Sequence, residues 1–151
     1  GPHTYMVSLI CLSTGCRWGE AQALTPARIG GGVITFANTK SKRVRAVPVS
    51  PSLVQSIQEH WAEHGPFTNC MGVFRKVLHL TTINPPKGQA SHILRHTFAA
   101  HFIMRGGHIV TLKEILGHAS LAMTMRYSHL APEHLNDAIR LGPMAGFSLT
   151  H

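Results

Sequence analysis

Only two runs in this chain have the short, β-branched, turn-bounded character of strands, Val33-Ile34-Thr35-Phe36 and Val44-Arg45-Ala46-Val47-Pro48-Val49. The polar stretch Thr39-Lys40-Ser41-Lys42-Arg43 between them makes a hairpin with a basic tip. The rest of the patterned sequence reads as helix, so the expected fold class is mainly α with one small antiparallel β-sheet (α+β). Helices are expected over 4–14, stopped by Thr14-Gly15, and over 17–24. Ser50-Pro51 supplies a cap and a first-turn proline for a helix over 51–64. Further helices are expected over 69–80 and over 89–105, the latter with a stripe of Leu94, Phe98 and Phe102 and a stop at Gly106-Gly107. Thr111 and Glu114 have capping-box spacing for a helix that stops at Gly117. Helices over 119–129 and 132–141 complete the pattern, and 142–151 reads as a loose tail. Gly30-Gly31-Gly32 reads as a breaker.

Composition narrows the function. The chain has 151 residues, one domain's worth. Lys and Arg number 14 against 6 Asp and Glu, a net charge of +8, which points to polyanionic partners. Cys11, Cys16 and Cys70 have no metal-type spacing, exclude a disulfide framework and fit a reducing cytoplasm. There is no apolar run of membrane-spanning length and no secretory signal pattern. Neither GxGxxG nor GxxxxGK[ST] occurs, which argues against enzymes built on a Gly-rich phosphate loop. Gly1-Pro2 and the abrupt apolar start fit a fragment of a longer protein.

Several residues stand out for chemistry. His92, Arg95 and His96 lie at i, i+3 and i+4 and share a helix face. His118 follows Leu116-Gly117 at a helix end, where a histidine is often a simple dipole partner. Tyr127 lies nine residues later among polar neighbours. A phenol with an ordinary pKa of about 10 needs help to act as a nucleophile, and nearby arginines and histidines would give it. Arg17 opens a helix after a glycine turn, with Glu20 three residues on to hold it. Lys40, Lys42, Arg43 and Arg45 concentrate positive charge in the hairpin, and no acid lies between Glu20 and Glu59.

Each signal alone also fits a solvated surface or an ordinary ion pair. Together, in order and spacing, they resemble the catalytic domain of the tyrosine recombinases, and within them the integrases of temperate phages. The resemblance runs over TGCRWGEAQAL, TKSKRVRAVPV and HILRHTFAAHFIMRGGHIVTLKEILGHASLAMTMRYSHLAPEHL, nearly the whole chain from about Leu9 to Leu141. It implies a single catalytic domain over 1–151 without the family's N-terminal DNA-binding domains.

By position, the resemblance makes Arg17 and Arg95 the catalytic arginines, Lys40 the hairpin lysine and His92 the first residue of the HxxR pair. His118 falls at the position filled by His or Trp, Tyr127 at the nucleophile, and Glu20 at the acid supporting Arg17. Lys42, Arg43 and Arg45 are expected to bind DNA. The implied reaction is site-specific DNA recombination through a 3′-phosphotyrosine intermediate, integrating and excising phage DNA without metal, ATP or cofactor. Two guanidinium forks would bind the nonbridging oxygens, Lys40 would protonate the departing 5′ oxygen, His92 would accept the tyrosine proton, and His118 would donate to the phosphate. Expected partners are double-stranded attachment sites, a tetramer of copies on DNA, and host DNA-bending and excision factors, in the host cytoplasm and away from membranes. The apolar stripe Leu135, Ile139 and Leu141 is expected to dock on a neighbouring copy or to pack on its own core.

Three other readings compete. Val110 to Leu130 can be read as a helix-turn-helix DNA-binding module. The i, i+4 pair His92/His96 invites a zinc hydrolase, although HExxH is missing. Type IB topoisomerases resemble the same active site while resealing the same strand.

Overall fold

The computed structural model describes residues 1–37 and 43–150. The chain opens with α1 (Pro2–Thr14) and continues through the short α2 (Trp18–Gln22). Next come β1 (Ile29–Gly30), β2 (Val33–Ala37) and β3 (Val44–Pro48), then α3 (Pro51–His64) and α4 (Met71–His79). The remaining helices are α5 (Ile93–Met104), α6 (Ile109–Leu116), α7 (Leu121–Thr124) and α8 (Asp137–Leu141). None of the described helices is long and apolar enough to cross a membrane.

The sheet is antiparallel in the order β1-β2-β3. The third strand, Ile29–Gly30, runs into the glycines read as a breaker, and two residues of pairing are too short to leave a pattern. In the hairpin Ile34 faces Val47 and Phe36 faces Arg45. Ile34, Phe36 and Val47 are buried, so Arg45 shares the core-facing side of β3.

Two apolar clusters build the domain. The larger gathers Val7, Ile10 and Cys11 of α1 with Trp18, Ile34, Phe36, Ile57 and Phe74. The smaller contains Ala99, Ile103, Leu112, Leu116 and Tyr127, with Phe98 and Phe102 packed against it. Helix α5 joins them. Its buried stripe is Arg95, Ala99 and Ile103, one residue along from the expected Leu94, Phe98 and Phe102, which are only partly buried. The first expected turn of this helix is a separate 3-10 turn, Ala90–His92.

Other boundaries shift for local reasons. Ser50 caps α3 as expected, its Oγ accepting from the Leu53 amide at 3.2 Å. Helix α6 instead starts one turn early, because the His108 ring accepts from the Val110 amide, and Thr111 lies inside the helix. The stretch expected as one helix over 119–129 divides into α7 and a 3-10 segment, Met125–Leu130. A four-residue helix followed by a 3-10 segment with Tyr127 buried gives no recognition helix, which removes the structural basis of the helix-turn-helix reading. Helix α8 is shorter than expected and buries none of its residues.

Candidate active site

Arg95 anchors the site. It is 5% exposed, and its guanidinium donates to the Gly15 carbonyl at 2.8 Å and the Leu116 carbonyl at 2.6 Å. Both acceptors lie where helices end, α1 at Gly15 and α6 just before Gly117. Helix C-termini carry unpaired carbonyls and partial negative charge. The two glycines close these helices in the left-handed conformation, at φ 68° and 71°. Burial lowers the Arg95 pKa to about 10, and Arg17 and Arg45 add repulsion.

Arg17 follows the Gly15 turn and caps α2. Its amide donates to Glu20 Oε1 at 2.9 Å, while its side chain is 38% exposed and 3.8 Å from the same carboxylate. The main partner of Glu20 is Arg45, with paired contacts of 2.8 and 2.9 Å. Burial alone would push the Glu20 carboxyl up, but the Arg45 fork and the Arg17 amide outweigh it and hold the pKa below the ordinary value.

Arg45 thus differs from the expectation of a DNA-contacting residue on the hairpin surface. Its side chain is 12% exposed, its Nε donates to the Ile115 carbonyl at 2.8 Å, and its guanidinium lies over the Phe36 ring. The strand parity that places Val47 inward places Arg45 inward as well. Arg43 is exposed. Lys40 and Lys42 lie outside the described residues.

The remaining groups come from the HxxR segment and the end of α6. His118 pairs through Nδ1 with Thr124 Oγ1 at 2.7 Å. Burial, then Arg95, Arg17, Arg126 and Arg45, press its pKa down to about 4, so the ring is neutral near pH 7. Tyr127 is 7% exposed, and burial raises its phenol above the ordinary value against the pull of Arg126 and Arg95. Its hydroxyl meets His96 Nδ1 at 2.5 Å. Among the described residues no hydrogen bond joins Tyr127 to His92, the expected proton acceptor, whose ring centre lies 6.1 Å from that of His96.

The sequence assigns Thr124 and Arg126 no part in the site, and it places His96 on the shared face without a role beside Tyr127. The helical spacing had put His96 on the right face, but the HxxR pattern stops one residue short of it. Among the described residues no group of three or more His, Cys, Asp or Glu is arranged to hold a metal ion.

The model of the phage integrase family matches residues 2–134. The integrase of Escherichia phage 186 is 46% identical over 143 residues, covering 95% of this chain and 42% of that protein. The integrase of Haemophilus phage HP1 is 44% identical over 144 residues, with the same shares covered. This chain therefore spans 42% of the length of either integrase. The solved structure of the catalytic domain of bacteriophage HP1 integrase superposes with a TM-score of 0.82 at 43% identity, covering 95% of this chain and 84% of that one. The family match takes in Arg17, Glu20, Arg95, His118 and Tyr127 with the helices that carry them, and the chain belongs to the phage integrase family.

Proposed function

We propose that this chain is the catalytic domain of a site-specific DNA recombinase that cuts and rejoins strands through a 3′-phosphotyrosine link. The observation that carries this reading is the buried Arg95 guanidinium, bonded among the described residues only to two main-chain carbonyls. A buried cation of this kind needs a counter-charge, and a phosphodiester supplies one. Arg17, more exposed and 3.8 Å from its carboxylate, is the second fork.

Tyr127 attacks phosphorus, the bond to the 5′ oxygen breaks, and Lys40 protonates the leaving oxygen. Fixed donors aimed at the charge that develops in the phosphorane are worth several kcal/mol each. His118 serves as such a donor, and His92, by its place in the HxxR pair, is the expected acceptor of the Tyr127 proton. With Thr124 donating to Nδ1 of neutral His118, its Nε2–H is left for the phosphate. The covalent link conserves the phosphodiester energy, so a 5′ hydroxyl from another duplex reverses the step without ATP. Arg43 and Lys42 add phosphate neutralisation outside the reacting centre, and binding should weaken steeply with salt.

Strand exchange between duplexes needs several copies on attachment-site DNA. The exposed Leu135, Ile139 and Leu141, 84%, 78% and 67% accessible, support docking of the C-terminal segment on a neighbouring copy rather than on its own core. Host DNA-bending and excision factors would set the direction of the reaction.

Covalent trapping on nicked suicide duplexes tests the reaction. The expected result is a protein–DNA adduct on denaturing gels that disappears in Tyr127→Phe. DNA binding by the intact integrase without any adduct would refute it. Sizing DNA-bound complexes after deletion of residues 132–151 tests the docking, which an unchanged oligomer would exclude.

A further inference from the structure

The phenol of Tyr127 has one hydrogen to donate, and its only hydrogen-bond partner among the described residues is His96 Nδ1. A neutral imidazole satisfies this contact when Nδ1 carries the lone pair and Nε2 the proton, because the reverse tautomer would leave the phenolic hydrogen without an acceptor. His96 sits on α5 directly after Arg95, whose guanidinium is fixed to the ends of α1 and α6. The acceptor is therefore held rigidly beside the group assigned to the phosphate. We propose that His96, rather than His92, takes the proton of Tyr127 as its oxygen attacks the DNA phosphate.

This inference rests on the reading of Tyr127 as nucleophile. In the step, the Oη–P bond forms and the P–O5′ bond breaks. The phenolic proton moves to His96 Nδ1, and the departing O5′ takes a proton from Lys40, the proposed general acid. Religation runs the same transfers backwards.

The groups facing His96 are Arg95 on its own helix, His92 in the 3-10 turn that precedes it, and Arg126 and Tyr127 on the 3-10 segment after α7. Burial first, then Arg126, His92 and Arg95, keep the ring neutral before DNA arrives, which leaves Nδ1 free to accept. Once protonated, His96 would stand among cations, and the added negative charge of the phosphorane offsets that repulsion. The stabilisation thus arises in the transition state rather than in the free protein.

The test is single-turnover adduct formation on a nicked suicide duplex across roughly pH 5 to 9, comparing the wild-type chain with His96→Asn and Tyr127→Phe. The wild-type rate should fall on the acid side, as His96 becomes protonated. His96→Asn should be slower by about 10²- to 10⁴-fold, with unchanged DNA affinity and without the acid limb. An unchanged rate overturns the proposal, and so does slowing with the acid limb intact, because His96 would then only position the ring. An adduct that persists in Tyr127→Phe overturns instead the assignment of the nucleophile. Nitrogen NMR of the free chain decides without DNA: His96 should be the Nε2–H tautomer near neutral pH, and an Nδ1–H tautomer would refute the inference.

Discussion

Arg45 offers a test that separates two roles for one charge. Replacing it with Met removes both contacts to Glu20, the donor to the Ile115 carbonyl and the cation over Phe36. Glu20 is left 13% exposed with only the Arg17 amide and a 3.8 Å contact to the Arg17 side chain. Breaking a buried ion pair from one side costs about 3–5 kcal/mol. For a chain of this length that lowers the melting temperature on the order of 10 °C. Arg45→Lys keeps the charge but not the fork and should fall between the two. In Arg45→Met/Glu20→Met the unpaired carboxylate is gone as well, so much of the loss should return. The assay is thermal denaturation at neutral pH, paired with the salt dependence of binding to a nonspecific duplex. A phosphate-contacting arginine would reduce the logarithmic salt slope by about 0.9 and leave the melting temperature unchanged. That outcome, with a melting temperature within about 2 °C of wild type, would refute the structural role assigned here.

Gly15→Ala should be strongly destabilising, by about 2–4 kcal/mol: φ is +68° and the new Cβ would lie 2.5 Å from Phe98 Cδ1. Chemical denaturation measures it, and a loss under about 1 kcal/mol would mean that the α1–α5 contact relaxes freely. Acid should weaken the fold from about pH 6.5 downward. His118 binds its proton near pH 4 when folded and near 6.5 when unfolded, so its contribution is present above pH 6.5 and lost as pH falls toward 4. Allowing for solvent screening of a part-buried ring, this amounts to about 1–2 kcal/mol. The lowered pKa values of His60 and His96 act in the same direction, and His118→Gln should flatten the pH profile of unfolding. Tyr127→Phe should cost only about 1 kcal/mol of stability by calorimetry, since it removes one hydrogen bond and leaves the buried ring in place.

Much of the architecture was legible because its signals are local. Ser50-Pro51 starts a helix and Gly15 and Gly117 end helices through backbone constraints that act within a few residues. The HxxR spacing likewise places two side chains on one face without reference to the rest of the fold. What escaped depends on contacts distant in sequence. The Arg45 pair spans 25 residues to Glu20 and 70 to Ile115, and charge density in the hairpin obscured the two-residue period that turns Arg45 inward. The role of His96 requires knowing that the 3-10 segment with Tyr127 packs on α5. Thr111 had the spacing of a cap, but His108 reaches the free amide first.

Arg95 joins the last carbonyls of two helices whose acceptors lie 80 residues upstream and 21 residues downstream of it. During synthesis, α1 and the sheet leave the ribosome before Leu116 and Tyr127 exist. The arginine has no complete seat until α6 closes, and the phenol arrives later still. A nascent chain with α1 and the sheet already folded therefore still lacks the seat of Arg95 and the partner of His96, and this arrangement is complete only when the final third of the domain docks.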